Sequence, residues 1–574
     1  MAELSFPVRV RPWHLANTTV RNPGRLQAGL RALIDRGYAG NMNRDMEEKI
    51  ARALHEESII SLSDSTKDVT SIARKWRSAL VQLGFLWPDV DMRPRIRDVR
   101  QSELGAAFTL TPNGERLLEA QSFLGVQEVL LRSIAALTLP SPLEPAYDFS
   151  PFSPLRHVIR IIRELERSGN GRFLTRLEIA SIVIFSVGSD RLDSVVKKII
   201  RQRDERAIVI GKRRFESETI ETKAGSTGNK RQTLYDYQDV VCRYLKATGL
   251  FQSCGRGIEL APELEAAAKS LADEPDEQLP RVEYLVRLAN GSALPTDTLA
   301  GAVGVLDGLL DIASDSGVSF DSAGYDLSTT EGLSLARHDL LDLVFQQKEL
   351  EYSKNQRNKM EEILAYLRML DEGKDKIKLA GEQLTIPKAE RAAYFEWLLW
   401  RVLLALNQLE VPPDKVRRFN ADNDFLPIGT APGGGADVIG VYRDSVIVVE
   451  VTLTSGSRQV AAEGEPVRRH VADVLEKYEP LGKAVYGLFI ARQIDTNTAE
   501  TFRTSVWYKH NDERVVLSIV PLTLRQLIVV LERGVKKGNL EPSLLIDTIV
   551  ELAELRADTD GAPDWKEKIE KRLS

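Results

Sequence analysis

The sequence predicts a multidomain α+β protein with helix-rich modules first, a helical linker next and an α/β domain at the end. The chain has 574 residues, which is too long for one hydrophobic core. Two segments of its first half share one order of elements: a helix, a glycine turn, a hairpin and a further helix. From about residue 376, apolar runs typical of strands alternate with helical patterns.

The repeated order of elements is typical of a winged helix. In the first copy, a helical pattern over Thr66–Leu83 ends at Gly84, and glycine suits the left-handed position after a helix. In the second copy, the helix Val240–Thr248 is followed by Gly249 and a predicted hairpin. We therefore expect two winged-helix-like subdomains, over residues 1–140 and 141–282. Two unrelated helical bundles are the alternative.

The remaining chain is predicted to form a linker and one further domain. An acidic stretch with two prolines, at about residues 265–282, indicates a boundary. Residues 283–375 are predicted to be a helical linker domain, with a solvent-exposed spacer helix over Leu340–Leu370. Residues 376–574 are predicted to be the α/β domain. Its expected elements are the helix Arg391–Leu406, a hairpin from Asp437 to Val451, the helix Val467–Tyr478, the strands Ala484–Ala491 and Val515–Val520, and the helix Thr523–Arg533.

Composition indicates an ordinary cytoplasmic protein. Hydrophobic residues make up 43% of the chain and charged residues 28%. Its two cysteines, Cys242 and Cys254, are expected to be reduced thiols, and no Cys and His spacing indicates a zinc site. No secretory signal and no membrane span are expected, because no apolar run approaches about 20 residues.

Charge is unevenly distributed along the chain. Residues 1–256 contain 40 Lys and Arg against 30 Asp and Glu, a net charge of +10. Residues 257–574 contain 37 against 53, a net charge of −16. This asymmetry predicts a first half that binds phosphates and a second half whose acidity comes partly from metal-binding carboxylates.

The stretch from Gly433 to His470 contains the clearest chemical pattern. A glycine turn precedes Asp437, which begins one apolar run, and Glu450 ends the next. Two strands joined by a tight turn would bring these carboxylates together at one end of a hairpin. Carboxylate oxygens bind hard divalent cations such as Mg²⁺. The pattern therefore predicts a metal-dependent phosphodiesterase.

This pattern resembles the PD-(D/E)xK nuclease core, except that Thr452 replaces the expected lysine. With Thr452 there, and with Glu463 and His470 in the next segment, the run resembles the AlwI family of type IIS restriction endonucleases. That family also includes site-specific nicking enzymes. The segment Trp13–Arg25 resembles the opening motif of the family, and the likeness extends to about residue 530.

The resemblance implies a set of catalytic residues. Asp437, Glu450 and Glu396 are expected to bind Mg²⁺, or Mn²⁺ in its place, together with the backbone carbonyl of Val451. Because Thr452 cannot act as a cation, His470 is expected to supply the missing base or donor. Glu463 matches the other acidic position of the family. The alternatives are solvated or structural side chains, among them a Glu396 that only pairs with Arg401.

Candidate DNA contacts lie in the first half of the chain. The richest basic segment is Lys197–Arg231, which contains a Gly/Ser-rich stretch, Gly225–Asn229, expected to be a flexible loop. A solvated charged hairpin is the alternative, since seven acids are interleaved over residues 201–239. The predicted contacts are Lys212, Arg213, Arg214, Lys230 and Arg231, a base-reading group of Arg21, Asn22 and Arg25, and a wing of Arg93, Arg95 and Arg97.

We therefore expect a Mg²⁺-dependent type IIS endonuclease that cuts double-stranded DNA at a fixed distance outside an asymmetric site. A second copy, or a small catalytic subunit, would be needed for cutting both strands, and a cognate DNA methyltransferase would protect the host. A nicking enzyme is one alternative. A DNA-binding regulator with a dead nuclease fold is another, because Thr452 replaces the lysine.

Overall fold

The computed structural model describes residues 10–16, 18–57, 59–60, 69–93, 96–144, 147, 149–255, 257–380 and 382–573. The chain divides into two compact units, Met1–Val344 (the N-terminal unit) and Phe345–Ser574 (the C-terminal unit). The boundary lies inside the predicted linker, and the finer four-part division stays a prediction. Among helices of the described residues, none combines the length and hydropathy needed to span a bilayer.

The N-terminal unit is mainly helical. Its strands β1 (Phe173–Thr175), β2 (Phe251–Cys254) and β3 (Gly257–Leu260) form an antiparallel sheet in the order β1-β3-β2. Its helices are α1 (Leu26–Asp35), α2 (Glu47–Glu56), α3 (Thr70–Gln82), α4 (Pro112–Glu119), α5 (Phe123–Ala136), α6 (Pro154–Arg167), α7 (Arg176–Ser181), α8 (Leu192–Ile208), α9 (Lys212–Ser226), α10 (Arg231–Ala247), α11 (Glu265–Asp273), α12 (Arg281–Asn290) and α13 (Leu299–Asp315). One core extends from Trp13 to Val305.

The two predicted hairpins of this unit have different outcomes. The second is confirmed as β2–β3, which follows α10 directly. The first is shorter than predicted: in the described part of residues 85–110 it is an antiparallel bridge between Leu86 and Leu110, extended by backbone hydrogen bonds from Trp87 N to the carbonyl of Thr109 and from Phe108 N to the carbonyl of Trp87. The side chain of Gln101 holds the chain between these two sides, donating to the carbonyls of Pro88 and Gly105 and accepting from Val90 N.

The basic segment Lys197–Arg231 is not a loop. It forms the end of α8, all of α9 and the start of α10, and Gly225 lies within α9. The interleaved acidic residues explain why the segment is helical. They form ion pairs with basic residues one helical turn away, as in Arg201–Glu205 and Arg214–Glu218. Charge alternation that looked like a solvated hairpin is therefore a helix-stabilising pattern.

The structure also differs from the predictions for the spacer helix and for the origin of the acidic second half. The exposed spacer helix expected over Leu340–Leu370 is wrong, because α14 (Thr330–Lys354) ends there and α15 (Met360–Glu372) packs into the core of the C-terminal unit. The acidity lies in residues 257–344, with 4 Lys and Arg against 17 Asp and Glu. Residues 345–574 contain 33 against 36, so metal-binding carboxylates do not account for the acidic second half.

The C-terminal unit is an α/β domain built on a four-stranded sheet in the order β11-β8-β7-β6. Strand β6 is antiparallel to β7, whereas β7, β8 and β11 are parallel. Its further elements are β4 (Lys376–Leu379), β5 (Glu382–Thr385), α16 (Arg391–Leu406), α17 (Pro413–Val416), β6 (Val438–Val441), β7 (Ser445–Thr452), α18 (Ser457–Tyr478), β8 (Ala484–Ala491), α19 (Thr496–Thr504), β9 (Val506–Tyr508), β10 (Arg514–Val516), β11 (Ile519–Thr523), α20 (Leu524–Lys537), α21 (Pro542–Glu554) and α22 (Ala562–Leu573).

Most predicted elements of this unit are confirmed, some with shifted ends. Helix α16 and strand β8 have the predicted bounds. The predicted strand Val515–Val520 is split between β10 and β11, which belong to different sheets. Helix α18 begins at Ser457 rather than near Pro466, which lies inside the helix. Its first turn is fixed by buried Gln459, which donates to the carbonyls of Thr454 and Gln493.

Candidate active site

The hairpin β6–β7 places Asp437 and Glu450 at one edge of the sheet. Val438 pairs with Val449, so Asp437, just before β6, lies opposite the end of β7. Its Oδ2 accepts a hydrogen bond from the backbone N–H of Val451 at 2.9 Å. Since β7 and β8 are parallel, their carboxyl ends meet at this same edge. The predicted side-by-side placement of Asp437 and Glu450 is confirmed, and their role as metal ligands stays a prediction.

Glu396 adds a third carboxylate from helix α16. The helix is buried on almost every side, and the exposed fraction of Glu396 is 6%. Its Oε2 accepts from the backbone N–H of Ala431 at 2.6 Å. Arg401 pairs instead with Glu362 at 2.8 Å, so the alternative in which Glu396 merely pairs with Arg401 is wrong.

Two side-chain links join strand β7 to helix α18. Glu450 and Thr452 are alternate residues on one face of β7, and Glu463 and His470 lie seven residues apart on one face of α18. The Nδ1 atom of His470 and Oε1 of Glu450 are 2.6 Å apart. A hydrogen bond from Thr452 lowers the pKa of Glu463, although burial has the larger effect and raises it. The strand and the helix therefore bring four predicted residues together.

Burial and mutual repulsion raise the pKa values of these carboxylates. Burial, with repulsion from Glu463 as the next largest cause, raises the pKa of Glu450 to about 8. Burial also raises the pKa values of Asp437, with Glu450 adding repulsion, and of Glu396, with Asp437 adding repulsion. Desolvation disfavours the charged form, and each neighbouring carboxylate adds to that effect. The cluster lacks enough positive charge to hold all its carboxylates ionised.

His470 has one ring nitrogen engaged and one unengaged. Its Nδ1 contacts Glu450, whereas Nε2 is buried and has no hydrogen-bond partner among the described residues. Desolvation lowers the pKa of His470, with Arg469 acting in the same direction, while Asp437 raises it. A buried ring nitrogen without a partner is costly unless a ligand or water satisfies it.

Arg418 is a residue of the cluster that the sequence alone did not indicate. Its guanidinium contacts the carbonyls of Gly433 and Ala436, in the segment leading to Asp437. The charge of Arg418 lowers the pKa values of Glu396 and Glu450. A Cβ atom on Gly435 would lie 2.6 Å from Arg418 Nη1, so a larger residue there would displace the guanidinium from this position.

The donor set of the cluster fits a hard divalent cation. Glu396, Asp437 and Glu450 offer carboxylate oxygens, and each is oriented by a hydrogen bond to the protein. Among the described residues, no group of three or more His, Cys, Asp or Glu side chains stands in an arrangement that could hold a metal ion. Mg²⁺ commonly binds through one or two carboxylates and completes its octahedron with water and substrate phosphate. An open carboxylate cluster therefore suits this ion.

The predicted base-reading group is held by contacts within the protein. Arg21 pairs with Asp236 at 2.7 Å, and Asn22 accepts from Gly24 N at the start of a 3₁₀ turn. Arg25 donates to the carbonyl of Ile59. These contacts give the three side chains structural roles, and their reading of bases stays a prediction.

Two residues of the predicted wing, Arg93 and Arg97, lie among the described residues. Arg93 is half-buried and donates to the carbonyl of Leu143, and burial lowers its pKa, so part of its guanidinium is engaged within the protein. Arg97 is exposed, and Arg95 lies outside the described residues. The exposed candidates cluster elsewhere: Lys212, Arg213 and Arg214 in the first turn of α9, and Lys230 and Arg231 at the start of α10.

Comparison with known proteins decides the family. Residues 81–530 match the family model described as AlwI restriction endonuclease. The chain belongs to the AlwI restriction endonuclease family. Membership implies a type II site-specific deoxyribonuclease. The match confirms the resemblance seen in the sequence, although the segment Trp13–Arg25 lies outside the matched residues. Trp13 is buried and donates to the carbonyl of Ser186, which gives that segment a structural role.

Comparison with individual proteins gives only weak similarities. No curated protein matches this AlwI-family chain. Among similar solved structures, the small subunit of the heterodimeric restriction endonuclease R.BspD6I shares 26% identity at a TM-score of 0.29, over 37% of this chain and 100% of that one. The BpuJ1 endonuclease binding domain, solved with modified DNA, shares 10% identity at a TM-score of 0.33, over 49% and 97%. At these TM-scores neither likeness determines the fold.

Replacing Asp437 with asparagine is expected to stabilise the metal-free protein. Because the folded-state pKa values of the cluster are raised, the folded protein holds more protons than the unfolded chain, and stability falls as pH rises from about 4 to about 8. The Asp437→Asn change would remove one repelled charge and keep an acceptor for Val451 N. We expect a higher Tm than wild type near pH 8 and a smaller gain near pH 5.

The matched control is Asp444→Asn, at the exposed turn of the same hairpin. It should show no pH-dependent gain in Tm. Thermal unfolding in a chelating buffer provides the measurement. An Asp437→Asn protein that is less stable than wild type near pH 8 would contradict the electrostatic description of the cluster.

Proposed function

We propose that this chain is a Mg²⁺-dependent type IIS restriction endonuclease that hydrolyses DNA at a fixed distance outside an asymmetric recognition site. The C-terminal unit is the cleavage domain, of PD-(D/E)xK type, and the N-terminal unit reads the DNA. The observation that carries the proposal is the convergence of Glu396, Asp437 and Glu450 at one sheet edge, where burial and repulsion raise all three pKa values.

The carboxylates are assigned as ligands of Mg²⁺, with Mn²⁺ as a substitute. Asp437 and Glu450 would hold the ion, and Glu396 and the backbone carbonyl of Val451 would add to its ligands. When bound, the ion supplies an activated water and stabilises charge on the phosphate. The protein's own contribution is orientation: Ala431 N, Val451 N and His470 fix the three carboxylates.

Two residues share the work that the absent lysine would perform. His470 orients Glu450 through Nδ1 and presents Nε2, which has no protein partner among the described residues, as base or donor. Arg418 supplies permanent positive charge beside Glu396 and Glu450. Thr452 and Glu463 fix the position of α18 against β7. This division of roles favours a live enzyme over a dead DNA-binding regulator.

The N-terminal unit is proposed to recognise DNA with a winged-helix-like module. Its support is the order of α7, α10 and the hairpin β2–β3 on a three-stranded sheet. Exposed lysine and arginine side chains at the starts of α9 and α10 would contact DNA phosphates. The proposed partners are double-stranded DNA and a cognate methyltransferase, in the cytoplasm. Because the described residues contain one such carboxylate cluster, cutting both strands would need a second copy or a small catalytic subunit.

A plasmid assay in Mg²⁺ tests the proposed function. We expect wild-type protein to cut at fixed positions, with open-circular DNA accumulating before linear DNA at low enzyme concentration. Asp437→Ala and Glu450→Ala should abolish cleavage while DNA binding in Ca²⁺ survives, because the reading unit is separate. Asp444→Ala is the control and should cut normally.

The products of this assay separate the alternatives. Nicking that never proceeds to linear DNA, at any enzyme concentration, identifies a nicking enzyme. Binding without any cleavage identifies a regulator and overturns the proposal. Cleavage by Asp437→Ala at more than a few per cent of the normal rate would show that the metal site has been misplaced.

Two variants of His470 distinguish its role in orienting Glu450 through Nδ1 from a chemical role of its Nε2 atom. His470→Ala should lose about 10²-fold in single-turnover rate and also bind Ca²⁺ more weakly. Asparagine places a donor near the position of Nδ1, so His470→Asn should recover Ca²⁺ affinity without recovering the rate. His510→Ala is the matched control, because His510 forms an exposed pair with Glu476 at the same 2.6 Å distance. A His470→Asn enzyme with the normal rate would restrict His470 to a positioning role.

A further inference from the structure

The turn between α8 and α9 exposes two isoleucine side chains almost completely. The exposed fraction is 85% for Ile208, the last residue of α8, and 105% for Ile210. Single exposed apolar residues are ordinary on protein surfaces, but two fully exposed β-branched side chains at one tip are not needed by the fold. Their contact with water is unfavourable and would be relieved by a binding partner.

This tip projects beyond the hydrophobic core. None of residues 200–219 is buried, and the nearest buried residues are Ile199 in α8 and Ile220 in α9. The two helices are nevertheless held together, because Arg206 pairs with Glu216 at 2.6 Å. Arg203 anchors α8 to buried Glu178 at 2.8 Å. The isoleucines therefore stand on a supported helical hairpin and take no part in packing.

Positive charge that is not neutralised lies next to the isoleucines. Gly211 is followed by Lys212 and Arg213, both exposed, and the first turn of α9 contains no acid. Arg214 pairs with Glu218, but in the described part of the chain Lys212 and Arg213 form no ion pair. An apolar tip beside two free cations fits a partner with an anionic surface and an apolar interior, which duplex DNA offers in its phosphates and stacked bases.

We infer that the segment Ile208–Arg213, the α8–α9 tip, is a wedge that enters a groove of duplex DNA. Ile208 and Ile210 contact the base pairs and disturb the stacking of one step, while Lys212 and Arg213 contact the flanking phosphates. The inference rests on the proposed assignment of DNA reading to the N-terminal unit. Proteins that insert apolar side chains between base steps bend the duplex and gain additional contacts from the bend.

The test uses the full-length protein in Ca²⁺ and a short duplex selected from a random-sequence pool by wild-type binding. Copies of this duplex carry 2-aminopurine at successive positions, since its fluorescence rises when stacking is lost. Wild-type protein should raise the signal at one or two neighbouring positions. The double variant Ile208→Ala/Ile210→Ala should abolish that rise and weaken binding at least about ten-fold.

Two further variants serve as comparisons. Leu299→Ala/Leu335→Ala removes two other exposed apolar side chains of the same unit and should leave binding and fluorescence unchanged. Lys212→Gln/Arg213→Gln should lower the slope of log affinity against log salt by about 1–2, which the isoleucine variant should not do. Circular dichroism confirms that each variant is folded.

The outcomes distinguish this inference from the proposed function. Unchanged fluorescence and affinity in the isoleucine variant overturn the wedge. The nuclease proposal is then still tested separately, by the plasmid cleavage assay. Normal DNA binding combined with a loss of self-association or of subunit association would assign the tip to a protein partner and also overturn it. A wild-type protein that binds and unstacks DNA but never cuts would uphold the wedge while refuting the nuclease. If wild-type binding enriches no sequence from the random pool, both the wedge and the site-specific nuclease are overturned.

Discussion

Several carboxylates buried at one sheet edge, with too little positive charge around them, are the constraint on which the C-terminal unit depends. Glu396, Asp437 and Glu450 come from a helix, a turn and a strand, yet each is fixed by a hydrogen bond to the protein. Burying charge without compensation opposes folding. The fold tolerates this arrangement because the carboxylates can hold protons.

The surrounding elements preserve this unfavourable arrangement. Helix α16 packs on β6 and β7 and places Glu396 where water is excluded. Helix α18 reaches the strand through His470 and Glu463. The glycine turn before Asp437 leaves room for Arg418, whose charge offsets part of the repulsion. The site is thus held by rigid elements, which favours a defined position for reacting groups.

Local patterns allowed much of the C-terminal unit to be predicted. The alternation of apolar runs and a tight turn identified β6 and β7, and continuous apolar residues identified α16 and β8. The approach of Arg418 could not be predicted, because it depends on a chain reversal between Phe419 and Gly433 that has no periodic signal. The start of α18 was missed because Pro466 resembles a first-turn proline, whereas the helix accommodates it in its interior.

The N-terminal unit was harder to predict from its sequence. Interleaved charges over residues 201–239 fit a solvated hairpin as well as a helix, and only the spacing of ion pairs distinguishes them. The hairpin expected near Trp87 is reduced to a short antiparallel pairing, and the chain between its two sides is held by the side chain of Gln101, which no strand pattern reveals. The almost fully exposed isoleucines at the α8–α9 tip were likewise invisible, because exposure is a tertiary property.

Proton release on metal binding tests the central claim most directly. Calorimetric titration of Ca²⁺ or Mg²⁺ into the full chain near pH 7, in buffers of different ionisation enthalpy, counts the protons displaced. Because the raised pKa values leave the carboxylates protonated before binding, we expect the release of at least about one proton per ion, and none for Asp437→Ala, which should not bind. Binding without proton release, or equal binding by Asp437→Ala, would contradict it.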